Sequence, residues 1–183
     1  MLRKTARRCK IFREEKFLTR TMVFMRDVLI ERADKADLQK ILELQYQAYQ
    51  SEAELFNDKN IPPLTQTLRD VETEFDAGIF LKAVTSGEIV GSVRGRVNGK
   101  TTYVGKLIVH PKYQGHGLGT KLLAAIETCC PTERYELFTS TRSLRNIGLY
   151  ERLGYKKFRE RQLTDELTFI YLEKLSAKIL SCP

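Results

Sequence analysis

Between Ile79 and Pro111 the sequence changes period, and that change restricts the available folds more than any other feature. The runs IFLKAVTSG, EIVGSVRGRVNG and TTYVGKLIVHP are β-branched or apolar, and the turn-forming pairs Ser86-Gly87 and Asn98-Gly99 separate them. Such short loops join antiparallel strands, so the stretch reads as a three-stranded meander. Upstream, DVLIERA from Asp27 to Ala33 alternates as a half-buried strand does. Asp34 then stands where a helix cap belongs. Beyond it, Leu38, Ile41, Leu42, Leu44, Tyr46 and Ala48 recur mostly at three- and four-residue intervals, the mark of a helix with one buried face. Asn57 to Pro63, with Pro62-Pro63, interrupts that helix. Thr65 or Thr67 caps a second one, TLRDVETEFDAG, which Gly78 ends.

After the meander come a glycine-rich turn, the helix GTKLLAAIETCC and the strand RYELFTST. The helix RNIGLYERLG follows, stopped by Gly154, and the strands YKKFRERQ and ELTFIYLEKL close the pattern. Helices before a meander and a strand-turn-helix-strand unit after it describe a mixed sheet in an α/β (α+β) domain. A chain of 183 residues suits one such core. No apolar run approaches the roughly 18 residues of a membrane span, which points to a soluble protein.

The formal charge of +8 suggests a nucleic-acid partner until its distribution is considered. Residues 1–26 carry nine Lys or Arg against Glu14 and Glu15, while the remainder holds 22 basic and 21 acidic side chains. The body, from residue 27 to 183, is therefore nearly neutral. No aromatic-interleaved basic motif accompanies the arm, so nucleic-acid binding is disfavoured and a basic extension is the simpler reading. Four cysteines, at 9, 129, 130 and 182, have neither disulfide-framework nor metal-ligand spacing, which favours a reducing cytoplasm. With His110 and His116 the only histidines, no metal site is expected.

The chemistry concentrates in Tyr113-Gln114-Gly115-His116-Gly117-Leu118-Gly119-Thr120, between a strand ending at Val109 and a helix starting near Gly117. Alternating glycines let backbone approach a ligand closely. Free amides at a helix start, with the helix dipole behind them, attract an anion such as phosphate. The Walker loop does not fit, because Gly119 is followed by Thr120-Lys121 in the wrong order. Nor does the dinucleotide fingerprint, whose first glycine is Gln114 here.

The pattern Gln-x-x-Gly-x-Gly, preceded by Leu107-Ile108-Val109-His110-Pro111, resembles motif A of the GNAT superfamily of N-acetyltransferases. Asn146 to Tyr155, NIGLYERLGY, is similar to that family's later helix-and-strand motif about thirty residues downstream. The resemblance covers Asp27 to about Leu175 and implies the acyl-CoA N-acyltransferase fold, a mostly antiparallel mixed sheet of about seven strands flanked by four helices. It implies acetyl-CoA as co-substrate, with the pyrophosphate held by amides of Gln114, Gly115, His116, Gly117, Leu118, Gly119 and Thr120. Leu107, Ile108 and Val109 would offer backbone to the pantetheine arm and thioester, and Asn146 would hydrogen-bond that arm. Many relatives carry the asparagine at the position of Ser143.

Tyr150 matches the tyrosine that protonates the departing thiolate, although amphipathic packing beside Leu149 and Leu153 also accounts for it. Many relatives place a glutamate on the strand leading into motif A, where this chain reads Val104-Gly105-Lys106-Leu107. Glu88, His110 or a water chain then remain for the base. Glu52, Glu54 and Asp58 could draw a cationic acceptor, a small-molecule or peptide amine, or form a solvated loop end. The resemblance leaves oligomeric state open, a homodimer included. A non-catalytic acyl-CoA-binding or sensing module is the alternative reading.

Overall fold

The computed structural model describes residues 28–164 and 167–176, so the basic stretch 1–26 and Cys182 lie outside the described residues. Among these residues seven strands form one sheet: β1 (Leu29–Arg32), β2 (Ile79–Thr85), β3 (Glu88–Asn98), β4 (Thr101–Val109), β5 (Arg134–Ser140), β6 (Lys156–Gln162) and β7 (Thr168–Leu175). Their order is β1-β2-β3-β4-β5-β7-β6, antiparallel throughout except for β4 and β5, which run parallel. The meander forms as its periodicity predicts. Ser86 and Gly87, at φ 50° and 80°, close the first hairpin, as a left-handed two-residue turn requires. In the second, Asn98 pairs with Thr101, so the two-residue loop is Gly99-Lys100, one position later than the Asn98-Gly99 pair.

Among the described residues five α-helices accompany the sheet: α1 (Leu38–Phe56), α2 (Pro62–Thr65), α3 (Leu68–Asp76), α4 (Leu118–Cys129) and α5 (Leu144–Arg152). Asp34 and Asp37 form a capping box on a 3-10 turn that leads into α1, and Thr67 with Asp70 does the same for α3. The four longer helices are the expected ones. The single turn α2 is an addition, because Pro62 and Pro63 fill first-turn positions where a missing amide hydrogen costs nothing.

Side chains alternate along β3 and thereby place helices on both faces. A Cβ on Gly91 or Gly95 would meet Leu122 or Ile126 of α4, whereas Arg94 reaches Gln45 of α1 at 2.7 Å. The α4 face holds the larger core, built on Leu81, Val93, Leu122, Leu123, Ile126, Leu137 and Leu172, and α5 joins it through Tyr150. On the α1 face a smaller core gathers Leu38, Ile41, Leu42, Val71 and Phe80. Gln45 and Arg94 are buried there as well, which apolar spacing does not foretell. Gln45 donates to the Pro63 carbonyl at 2.7 Å and to Gln66 at 2.9 Å, and Arg94 pairs with Glu74. This network fastens α1, α2 and α3 to β3, and pairing satisfies charges that would otherwise be costly to bury.

Candidate active site

The site opens where two neighbouring strands part. β4 and β5 pair only from Thr101–Arg134 to Tyr103–Glu136, and beyond Tyr103 they separate. On the other side of β4 the ladder skips, so that Lys106 and Leu107 together stand opposite Val93. This is a β-bulge, and Lys106 takes φ 48° within it. Leu107, Ile108 and Val109 on one arm of the opening and Leu137 to Ser140 on the other line a cleft of about 1140 Å³. Single small-molecule pockets occupy roughly 300–1,000 Å³, so this cleft lies at the large end of that range.

The glycine turn forms one end of it. Pro111–Tyr113 make a 3-10 turn, Gly115 and Gly117 take φ 80° and 81°, and Gly117 caps α4 with no side chain to satisfy the first amides. The helix therefore presents unpaired N–H groups at Leu118, Gly119 and Thr120. Gln114 lines the cleft, but its side-chain amide is engaged within the protein. Its Nε2 donates to the Val109 carbonyl at 3.0 Å and its Oε1 accepts from Arg145 at 2.8 Å, pinning the turn to the strand end and to α5. The cleft lining omits His116; its Nδ1 lies 2.8 Å from the Gln114 carbonyl oxygen in an exposed position. Arg145 adds positive charge beside the turn, and Arg142 also lines the cleft.

Tyr150 and Asn146, one turn apart on α5, line the same cleft. Tyr150 is buried, and desolvation first, then the negative charge of Glu52, raises its phenol above the ordinary value. Asn146 Nδ2 donates to Glu52 Oε1 at 3.0 Å. That bond joins α1 to α5, two helices packed on opposite faces of the sheet, at the opening between β4 and β5. Burial raises the Glu52 carboxyl as well, with the Asn146 hydrogen bond and the Lys106 charge opposing it. Lys106, at the strand position considered for a glutamate, is lowered chiefly by burial, and its ammonium sits 5.6 Å from the Tyr49 ring centroid. Ser143 at the start of α5 lines the same cleft, and its buried Oγ has no hydrogen-bond partner among the described residues.

A sequence model of the acetyltransferase (GNAT) family matches residues 36–155, about two thirds of the chain and all of this site. The chain belongs to the GNAT acetyltransferase family. Solved structures agree in fold. The ribosomal-protein-S18-alanine N-acetyltransferase of Escherichia coli superposes with a TM-score of 0.66 at 18% identity, over 80% of this chain and 92% of that one. YncA of Salmonella typhimurium, solved with its cofactor acetyl-CoA, gives 0.63 at 20% identity, covering 81% and 94%. The PaiA N-acetyltransferase of Thermoplasma acidophilum, in complex with coenzyme A, gives 0.63 at 14% identity, covering 82% and 99%.

Within this GNAT fold, eleven of the twelve residues chosen from sequence line one cleft. Two acids or bases considered there do not reach it. Glu88 starts β3 at the hairpin, and His110 Nδ1 accepts from the Lys112 amide at 3.2 Å, so its ring caps a turn. Of the three acidic residues considered for the acceptor, Glu52 lines the cleft and Glu54 and Asp58 do not. Glu52 was distinguishable from its neighbours only by helical phase: it falls one turn beyond the interior face of α1, three residues after the buried-side Tyr49. Among the described residues no group of three His, Cys, Asp or Glu side chains could hold a metal ion, and no helix is long and apolar enough to cross a membrane.

Proposed function

We propose that this GNAT acetyltransferase moves an acetyl group directly from acetyl-CoA to a primary amine of a small molecule or peptide. The observation that carries the reading is the parting of β4 and β5, with an uncapped helix N-terminus at one end and Tyr150 inside the same cleft. The unpaired amides from Gly115 to Thr120, with Arg145 nearby, suit a pyrophosphate. Backbone of Leu107 to Val109 suits the pantetheine arm and thioester carbonyl, which donors there would polarise as negative charge develops on its oxygen. The unpartnered Ser143 hydroxyl and the Asn146 amide offer polar contacts to that arm. Tyr150 acts as the acid for the leaving thiolate, and its raised phenol ensures that it carries its proton at neutral pH.

Direct transfer needs no nucleophile on the enzyme. The amine attacks the thioester carbon, the C–N bond forms, the C–S bond breaks and coenzyme A leaves as thiol. Residues 27–183 carry this work without the basic stretch before them, and the cysteine spacing suits a cytoplasmic setting. A sensing module is the second reading, favoured by Lys106 at the position of the strand glutamate.

A thiol-release assay with acetyl-CoA against polyamines, aminoglycosides, amino acids and peptides tests the proposal, with coenzyme-induced thermal shift recorded in parallel. Release with one amine class is the expected result. A shift without release would favour sensing, and no shift would overturn the reading of the Gln114 to Gly119 turn.

A further inference from the structure

Three acidic side chains line the cleft among the described residues: Glu52, Glu74 and Glu136. Glu74 is held by Arg94, and Glu136 by Arg134 at 2.9 Å. Glu52 instead accepts from the neutral amide of Asn146 at 3.0 Å, so its carboxylate is not consumed by an ion pair. It is half-buried, and its Asn146 anchor lies one turn before Tyr150 on α5. We infer that Glu52 is the general base of the transfer, an assignment that rests on the amine-acetylation reading above.

The geometry supplies what a base requires. α1 brings Glu52 to the opening between β4 and β5 from the face opposite α4, whereas the glycine turn belongs to α4. An acceptor entering along α1 would meet Glu52 on one side and the thioester site beside Leu107 to Val109 on the other. The proton inventory then closes. Glu52 takes one proton from the acceptor ammonium and holds it until the thiolate has left, when cleft water receives it. The freed lone pair attacks the thioester carbon, and collapse of the adduct breaks the C–S bond. The departing thiolate takes the Tyr150 proton, and the phenolate recovers one from the nitrogen of the adduct. One proton is released for each amide formed.

The two groups are coupled by charge. The Glu52 carboxylate raises the Tyr150 phenol, after burial, so a proton arriving on Glu52 makes Tyr150 a stronger acid when the thiolate needs one. The groups facing Glu52 are Tyr49 on its own helix, Lys106 from β4 and Asn146 with Tyr150 from α5, with Arg94 and Glu74 acting on Tyr49 and Lys106 behind them. Lys106 is the competing base. Its position in the bulge and its lowered ammonium make it the assignment to exclude.

Wild type, Glu52→Gln and Lys106→Met are compared in thiol release from acetyl-CoA with spermidine, kanamycin, tyramine and a tetrapeptide, between about pH 6 and 10, the range that spans ordinary amine titration. Glutamine keeps the shape and the Asn146 contact. The expected result is a loss of about 100-fold or more in kcat/KM near pH 7 for Glu52→Gln, narrowing as the amine deprotonates by itself at higher pH. The coenzyme thermal shift should persist. A deficit equal at every pH, no deficit, or loss of the rising limb in Lys106→Met alone would overturn the assignment.

A second measurement needs no acceptor. The carboxyl 13C signal that Glu52→Gln removes should titrate above the ordinary glutamate value of about 4.3, and titration at or below it also overturns the assignment. A wild type that shows the coenzyme shift but no release with any amine fails the transfer reading itself, a result distinct from failure of Glu52.

Discussion

Replacing Gln114 by Ala removes two hydrogen bonds that hold the glycine turn in place. The bond to the Val109 carbonyl, 3.0 Å and half-buried, contributes about 1 kcal/mol. The bond from Arg145, 2.8 Å and solvent-exposed, contributes at most about 0.5 kcal/mol after screening. A loss of about 1–1.5 kcal/mol in a domain of this size lowers Tm by about 3–5 °C. If the turn must then be ordered by its ligand, about 1 kcal/mol of binding energy is diverted and acetyl-CoA affinity falls about fivefold. Thermal unfolding and calorimetric titration with acetyl-CoA measure the two effects on one sample. Gln114→Glu separates the bonds, since it keeps the acceptor for Arg145 but sets a carboxylate against the Val109 carbonyl; it should be at least as damaging as Ala. Variants that melt and bind as wild type would refute the positioning role.

Tyr150→Phe should reduce kcat by about 100-fold while the coenzyme thermal shift is retained; equal losses in turnover and coenzyme affinity would remove the acid role. Leu122→Ala, at a fully buried position against Gly91, should cost about 2–5 kcal/mol in denaturant unfolding, and a cost below about 1 kcal/mol would mean that the α4 face is not the principal core. Glu52 has a raised folded-state pKa, so its contribution to stability is complete below the unfolded value of about 4.3 and is lost as pH rises through the folded value. Glu52→Gln should therefore melt above wild type at pH 7 and lose that advantage near pH 4, about the unfolded value. A variant without any gain at pH 7 would contradict the desolvation of this carboxyl.

The elements were legible because their signals are local. Alternation marked β2 to β4, Ser86-Gly87 supplied a left-handed turn, and Asp34 and Thr67 supplied side chains that satisfy amides two or three residues away. The glycine turn was legible for the same reason, since Gly115 and Gly117 adopt backbone angles that side chains resist. Short α2 was hidden because Pro62-Pro63 interrupts one helix as readily as it begins another. Lys106 gave no sign of its bulge, which is visible only when β4 is laid against β3.

By itself, then, the sequence determined the order of the strands and longer helices, the alternation that chooses core faces, and a glycine-rich helix start suited to an anion. Only the tertiary structure decided that Glu52 meets Asn146 across 94 positions of chain, that Arg94 finds Gln45 across 49, and that β4 and β5 part beyond Tyr103. A glutamate on a helix has the same local propensity whether its face is solvated or turned into a cleft. Its chemistry is set by desolvation and by the charges brought beside it, and those depend on helices packing against opposite faces of one sheet.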